Sequence, residues 1–133
     1  MKTIRHLLSC YPLTLLCLGL VWYLSLFIIM PETPMDDVPF IDKWTHLVMY
    51  GGTSSVMWFE YVRHHNRLEG WKLFLYAFAG LIVMSGCIEL LQAYCTTNRS
   101  GEWLDFAANS TGVVLGTGIG LLMWKMKKST KKE

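Results

Sequence analysis

The chain has 133 residues, 53% of them hydrophobic and only 17% charged, with a formal net charge of +2. That length holds one domain, and so small a net charge argues against nucleic acid as a partner. The charges fall in short blocks with apolar stretches between them, a pattern that fits lipid-facing helices better than an aqueous bundle.

Four stretches approach the roughly 20 apolar residues that a spanning helix needs. The first, 11–30, carries no side chain ionised at neutral pH. Lys2, Arg5 and His6 precede it as a basic start, but Pro31-Glu32-Thr33-Pro34 follows in place of a small-residue cleavage site. A retained helix is therefore expected rather than a removed signal peptide. The second stretch, 44–62, contains only His46 and Glu60 as ionisable groups apart from tyrosine. Glu60 lies beside Arg63 and His64 and reads as an interface residue. The third, 71–94, contains Lys72 and Glu89, and the fourth, 103–124, contains Asp105. The expected fold is all-α: a four-transmembrane-helix bundle forming a single membrane domain over 1–133.

Four spans put both termini on one side. That side would carry Lys2, Arg5, Arg63, Arg67, Lys72, Lys125, Lys127, Lys128, Lys131 and Lys132, which is ten of the twelve basic residues. Lys43 and Arg99 are left for the other side. The positive-inside rule then places both termini in the cytoplasm of a multi-pass protein of the inner or plasma membrane. The outer connections hold Glu32, Asp36 and Asp37 in one case and Arg99 in the other. Trp22, Trp44, Trp71, Trp103 and Trp124 fall mostly near span ends, where indole rings anchor at the interface. Cys10, Cys17, Cys87 and Cys95 show no metal-binding spacing and no disulfide framework.

Ionisable groups within a span cost on the order of 3 kcal/mol each at the helix centre, so their convergence carries information. Asp42 and His46 are four residues apart, as are Asp105 and Asn109, while Glu89 and Gln92 are three apart. Each pair shares a helix face. In the four-span topology the second helix starts outside, the third ends outside and the fourth starts outside. Asp42, Lys43, His46, Glu89, Gln92, Arg99, Asp105 and Asn109 then gather at the outer side of the membrane. The bland readings are a snorkelling Lys43, an Asp105 that caps its helix or pairs with Arg99, and an Asn109 that joins helices. Glu89 lies deepest and resists such a reading most. Gly112, Gly116 and Gly120 form a stripe that permits close helix approach, either to a neighbour in the same chain or to a second copy in a homo-oligomer.

Together, Asp42-Lys43-x-x-His46, Glu89-x-x-Gln92, Arg99 and Asp105-x-x-x-Asn109-x-x-Gly112-x-x-x-Gly116 resemble the VanZ-like family of small bacterial membrane proteins over about residues 36–124. The Asn98–Glu102 segment fits the family's pattern loosely. The resemblance implies a cell-envelope role; the family's namesake is linked to resistance to the lipoglycopeptide teicoplanin.

The residues themselves leave several readings open. The outer polar group would bind or remodel an amphiphilic envelope molecule, with Arg99, Lys43 and His46 meeting an anionic headgroup and apolar faces holding its lipid part. Alternatively, His46, Glu89 and Asp105 would serve as acid or base in an intramembrane enzyme acting on a lipid-linked substrate, although no nucleophile is evident. A purely structural polar network is the third reading. A transporter or proton relay fits four helices less well. The spacing of Asp42, His46, Glu89 and Asp105 matches no recognised metal motif, and His46 is alone among histidines in lying well inside a span, so neither a metal nor a haem or other cofactor is expected. Membrane lipid is the expected partner.

Overall fold

The computed structural model describes residues 1–28, 39–97 and 101–131. Among these the regular structure is helical, with five helices: α1 (Lys2–Cys10), α2 (Pro12–Phe27), α3 (Ile41–His64), α4 (Gly70–Cys95) and α5 (Trp103–Thr130). The expected all-α class is what the structure shows. The acidic connection with Glu32, Asp36 and Asp37, expected on the outer side, and the segment with Asn98, Arg99 and Ser100 lie outside the described residues.

The first apolar stretch is not a straight helix. Proline lacks an N–H and disfavours helical geometry in the residue before it. Tyr11 accordingly leaves the helical region, with φ −131° and ψ 41°, and Pro12 opens α2 as its first residue. The segment Thr3–Cys10 is turned by 90° from α2. A helix starting this abruptly exposes N–H groups with no partner in their own helix. Glu60, from α3, supplies one: its carboxylate accepts from the backbone N–H groups of Leu13 and Thr14, both at 2.9 Å, and from the Thr14 hydroxyl at 2.6 Å. Glu60 is only 4% exposed. It is a buried cap on the positive end of α2, and this corrects its reading as an interface residue.

α4 and α5 are each long and apolar enough to cross a membrane, and α1 with α2 would make a third such element if the bent pair is one span. α3 falls outside that group although residues 44–62 suggest a span. With 24 residues it reaches about 36 Å, but it is rich in polar groups, and its His46, Thr53, Ser54 and Glu60 are buried by the other helices rather than presented to solvent. Interior position, not apolarity, accommodates α3.

The α3–α5 contact is the most extensive in the molecule. The two helices run in parallel, with Lys43 beside Asp105 at one end and Lys127 beside Val62 and His65 at the other. Gly112, Gly116 and Gly120 line this seam. A Cβ on Gly112 would come within 2.9 Å of the Gly51 nitrogen, and one on Gly116 within 2.6 Å of the Ser54 Cβ; at Gly120 the Trp58 side chain fills the place. These contacts bring the backbones together inside one chain. α2 and α4 close the bundle through Val21, Tyr50, Leu81, Ile88 and Val113. At the end carrying Glu60, Trp58, Tyr61, Leu73, Ala77 and Trp124 form a second core. Trp124 is thus buried, where an interfacial position was expected. The Tyr61 hydroxyl donates to the Arg67 carbonyl at 2.8 Å and accepts from the Glu69 N–H at 2.9 Å, fastening the α3–α4 connection.

Candidate functional site

Three helices bring polar side chains together at the end opposite Glu60: α3 with Lys43 and His46, α4 with Ser85 and Glu89, and α5 with Asp105 and Asn109. His46, Glu89, Asp105 and Asn109 are all at most 9% exposed. Asn109 is the hub. Its amide nitrogen donates to Ser85 Oγ at 2.9 Å and to Glu89 Oε1 at 3.2 Å, which uses both of its hydrogens. Turning the amide over would set its oxygen against the Glu89 carboxylate. The oxygen therefore faces His46, accepting from Nδ1–H at 3.0 Å. This fixes the imidazole tautomer and leaves Nε2 directed at Asp105 Oδ2, 3.7 Å away. The second Glu89 oxygen accepts from the Glu102 N–H at 3.2 Å.

Lys43 forms the outer layer. Its ammonium pairs with Asp42, with Glu102 at 2.6 Å and with Asp105 at 2.8 Å. Three carboxylates match the three donors of an ammonium group. These two groups precede the expected span, and their titration reflects the pairing. Desolvation pushes the Asp42 carboxyl up, but the Lys43 hydrogen bond and charge outweigh it, and the net shift is downward. Desolvation likewise pushes Lys43 down, and its bonds to Asp105, Asp42 and Glu102 reverse this to a net rise. Lys43 is thus a partly buried counterion of the cluster, and its donors are already committed.

Of the residues expected here, the structure brings together Lys43, His46, Glu89, Asp105 and Asn109, with Asp42 on the exposed rim. Gln92 is buried but turns away: its amide donates to the Ser25 carbonyl of α2 at 2.8 Å, tying the first long helix to the bundle. Asp105 pairs with Lys43; its expected partner Arg99 lies outside the described residues. Gly112, Gly116 and Gly120 build the seam that holds α3 and α5 in register below the site.

Three contributors escaped the sequence reading. Ser85 sits one turn before Glu89 on the same face, a spacing that was there to be read. Glu102 contributes both its carboxylate and its backbone N–H. Gly101 lets the chain close over Glu89, because a Cβ there would come within 3.0 Å of the Glu89 carbonyl carbon and 3.1 Å of the Ala93 Cβ. The buried Tyr50 hydroxyl also approaches Ser85.

Chemically the arrangement offers an oriented imidazole nitrogen and two buried carboxylates within reach of one small polar group, while the Lys43 ammonium is taken up by its three carboxylates. In comparisons with known proteins, no family model, curated protein or solved structure matches this chain.

Proposed function

We propose that this chain is a VanZ-like, four-span protein of the cell's inner or plasma membrane, with both termini cytoplasmic, whose outer polar site binds or remodels the headgroup of an amphiphilic envelope molecule. The observation that carries the reading is the meeting of His46, Glu89, Asp105 and Asn109 from three different helices, with the ligating atoms of the first, second and third all within 4.8 Å of one another. A buried polar side chain that only joins helices has its donors and acceptors matched, as Glu60 does. Here Asn109 holds Nδ1 of an imidazole whose Nε2 stands 3.7 Å from Asp105, with Glu89 in the same cluster. The asymmetry of basic residues in the sequence supports the orientation, and the apolar surfaces of α4 and α5 support a place in the membrane. An envelope role is consistent with the family resemblance, and modulation of teicoplanin susceptibility is the phenotype it suggests.

The test is envelope-lipid profiling and teicoplanin susceptibility in a deletion strain complemented with wild type, Glu89→Gln or Arg99→Ala at equal membrane abundance. Restoration by wild type alone supports the proposal, and the lipid that accumulates names the ligand class. Full restoration by both variants would leave the cluster as a structural network and defeat the reading.

A further inference from the structure

We infer that the outer polar site holds a first-row divalent metal ion between His46 Nε2 and the carboxylates of Glu89 and Asp105. This rests on the proposed reading of the same site and adds the means by which an acidic cluster would receive an anionic headgroup.

Two neighbouring triads meet at Asp105. Asp42, Glu102 and Asp105 place carboxylate oxygens close together, and so do His46, Glu89 and Asp105 their ligating atoms. The first triad has a cation of its own, since Lys43 Nζ bonds all three members. The second has no ammonium or guanidinium partner for Glu89 among the described residues. Among the described residues, four carboxylates, from Asp42, Glu89, Glu102 and Asp105, thus share the ammonium of Lys43 at this end, and Glu89 and Asp105 are the buried two. Of the buried two, Asp105 has Lys43 and Glu89 has only neutral hydrogen-bond donors, and a buried carboxylate without a counter-charge is costly.

The distances decide what kind of counter-charge fits. A proton on His46 Nε2 would make a charge-assisted bond to Asp105, and such bonds run to about 2.7–2.9 Å. The observed separation is 3.7 Å, too long for one. Two ligands that each lie about 2.1 Å from a shared metal in tetrahedral geometry stand roughly 3.4 Å apart. The second spacing is the closer match. The tautomer is also the one a metal requires: the Nδ1 proton is held by Asn109, and the Nε2 lone pair is free to coordinate. A metal-binding histidine characteristically has its other nitrogen oriented in this way. Glu89 accepts one hydrogen bond on each oxygen and keeps further lone pairs for coordination. One imidazole and two carboxylates suit zinc or manganese better than magnesium, which favours an all-oxygen shell rich in water. Three protein ligands would leave a position at which a phosphate or carboxylate oxygen of the headgroup binds.

The test uses the full chain in lipid nanodiscs, stripped with a chelator and loaded with zinc, manganese or magnesium chloride. Metal retained after desalting is measured by mass spectrometry, and cobalt loading is followed by visible absorption. Wild type is expected to retain zinc or manganese stoichiometrically in preference to magnesium. His46→Gln and Asp105→Asn are expected to bind about ten-fold or more weakly, and Glu69→Gln, at the opposite end, as wild type does. A readout on wild type alone guards against misfolded variants: zinc is expected to slow diethyl pyrocarbonate modification of His46 and to leave His6 and His64 unaffected. Absence of retained metal in wild type, or retention undiminished in folded His46→Gln and Asp105→Asn, would overturn the inference. Wild type that retains no metal yet binds a phosphorylated lipid would overturn it while leaving the proposed function standing. Metal binding with no amphiphile bound would sustain the ion site and count against the proposed function.

Discussion

The two ends of the bundle each bury a carboxylate, and they solve that problem in opposite ways. Glu60 meets three donors, all from the first turn of α2, and nothing else is asked of it. Glu89 meets one side-chain amide and one backbone N–H, and it faces an imidazole and a second carboxylate across the site. The first arrangement is closed: donors and acceptors match, and the helix end provides the compensating positive field. The second gathers more negative charge than the described side chains neutralise. Burial alone therefore does not mark a functional acid; the balance of its partners does.

The comparison breaks most visibly at Glu60. Replacing it with Ala leaves the N–H groups of Leu13 and Thr14 and the Thr14 hydroxyl without their acceptor, at about 1–3 kcal/mol for each buried group. Glu60→Ala is expected to destabilise the protein by about 3 kcal/mol in reversible unfolding in mixed micelles. Ligand binding per folded molecule should remain unchanged. A loss under about 1 kcal/mol would show that the cap is dispensable.

Asp105→Asn should have a smaller effect on stability, about 1–2 kcal/mol, since Lys43 keeps Asp42 and Glu102 as partners. The same unfolding assay checks it. Glu89→Gln should cost least of the three, about 1 kcal/mol, because the amide oxygen still accepts one of the two hydrogen bonds. Its effect on binding should nevertheless be the largest. A Glu89→Gln variant as unstable as Glu60→Ala would erase the distinction between the two ends.

The smallest effect concerns pH. The folded-state pKa of Asp42 is depressed, so its contribution is present above the ordinary value of 3.8 and is lost as pH falls through the lower folded value. That of Lys43 is raised, so its contribution is complete below 10.5 and is lost as pH rises through the higher folded value. The contribution of this pair should be flat between those limits. Comparing the unfolding profile of wild type with that of Lys43→Met isolates it, and a slope near neutral pH assignable to the pair would contradict the assignment.

Much of the site could be read because helical spacing does the work. Asp105 with Asn109, and His46 a turn after Asp42, project from their helices at intervals visible in one dimension. The same rule misled at Gln92, which shares a face broadly with Glu89 but lies far enough round the helix to meet Ser25 instead. Glu60 was illegible for a different reason. Its partners, Leu13 and Thr14, need an acceptor only because Pro12 starts a fresh helix there, and they are 46–47 residues away in sequence. α3 was legible as a helix but not as the interior one, since its polar residues are tolerated by packing that only the assembled bundle reveals. Gly101 and the Glu102 N–H act through backbone approach, which residue type signals weakly.

In the proposed function the Glu89 end engages an envelope amphiphile while the Glu60 end only holds the fold. Native mass spectrometry of lipid retained by purified wild type, Glu89→Gln and Glu60→Gln, normalised to folded protein, tests it most directly. A specific amphiphile is expected on wild type and Glu60→Gln, and its loss from Glu89→Gln. Equal retention by Glu89→Gln and wild type, or loss only from Glu60→Gln, would contradict it.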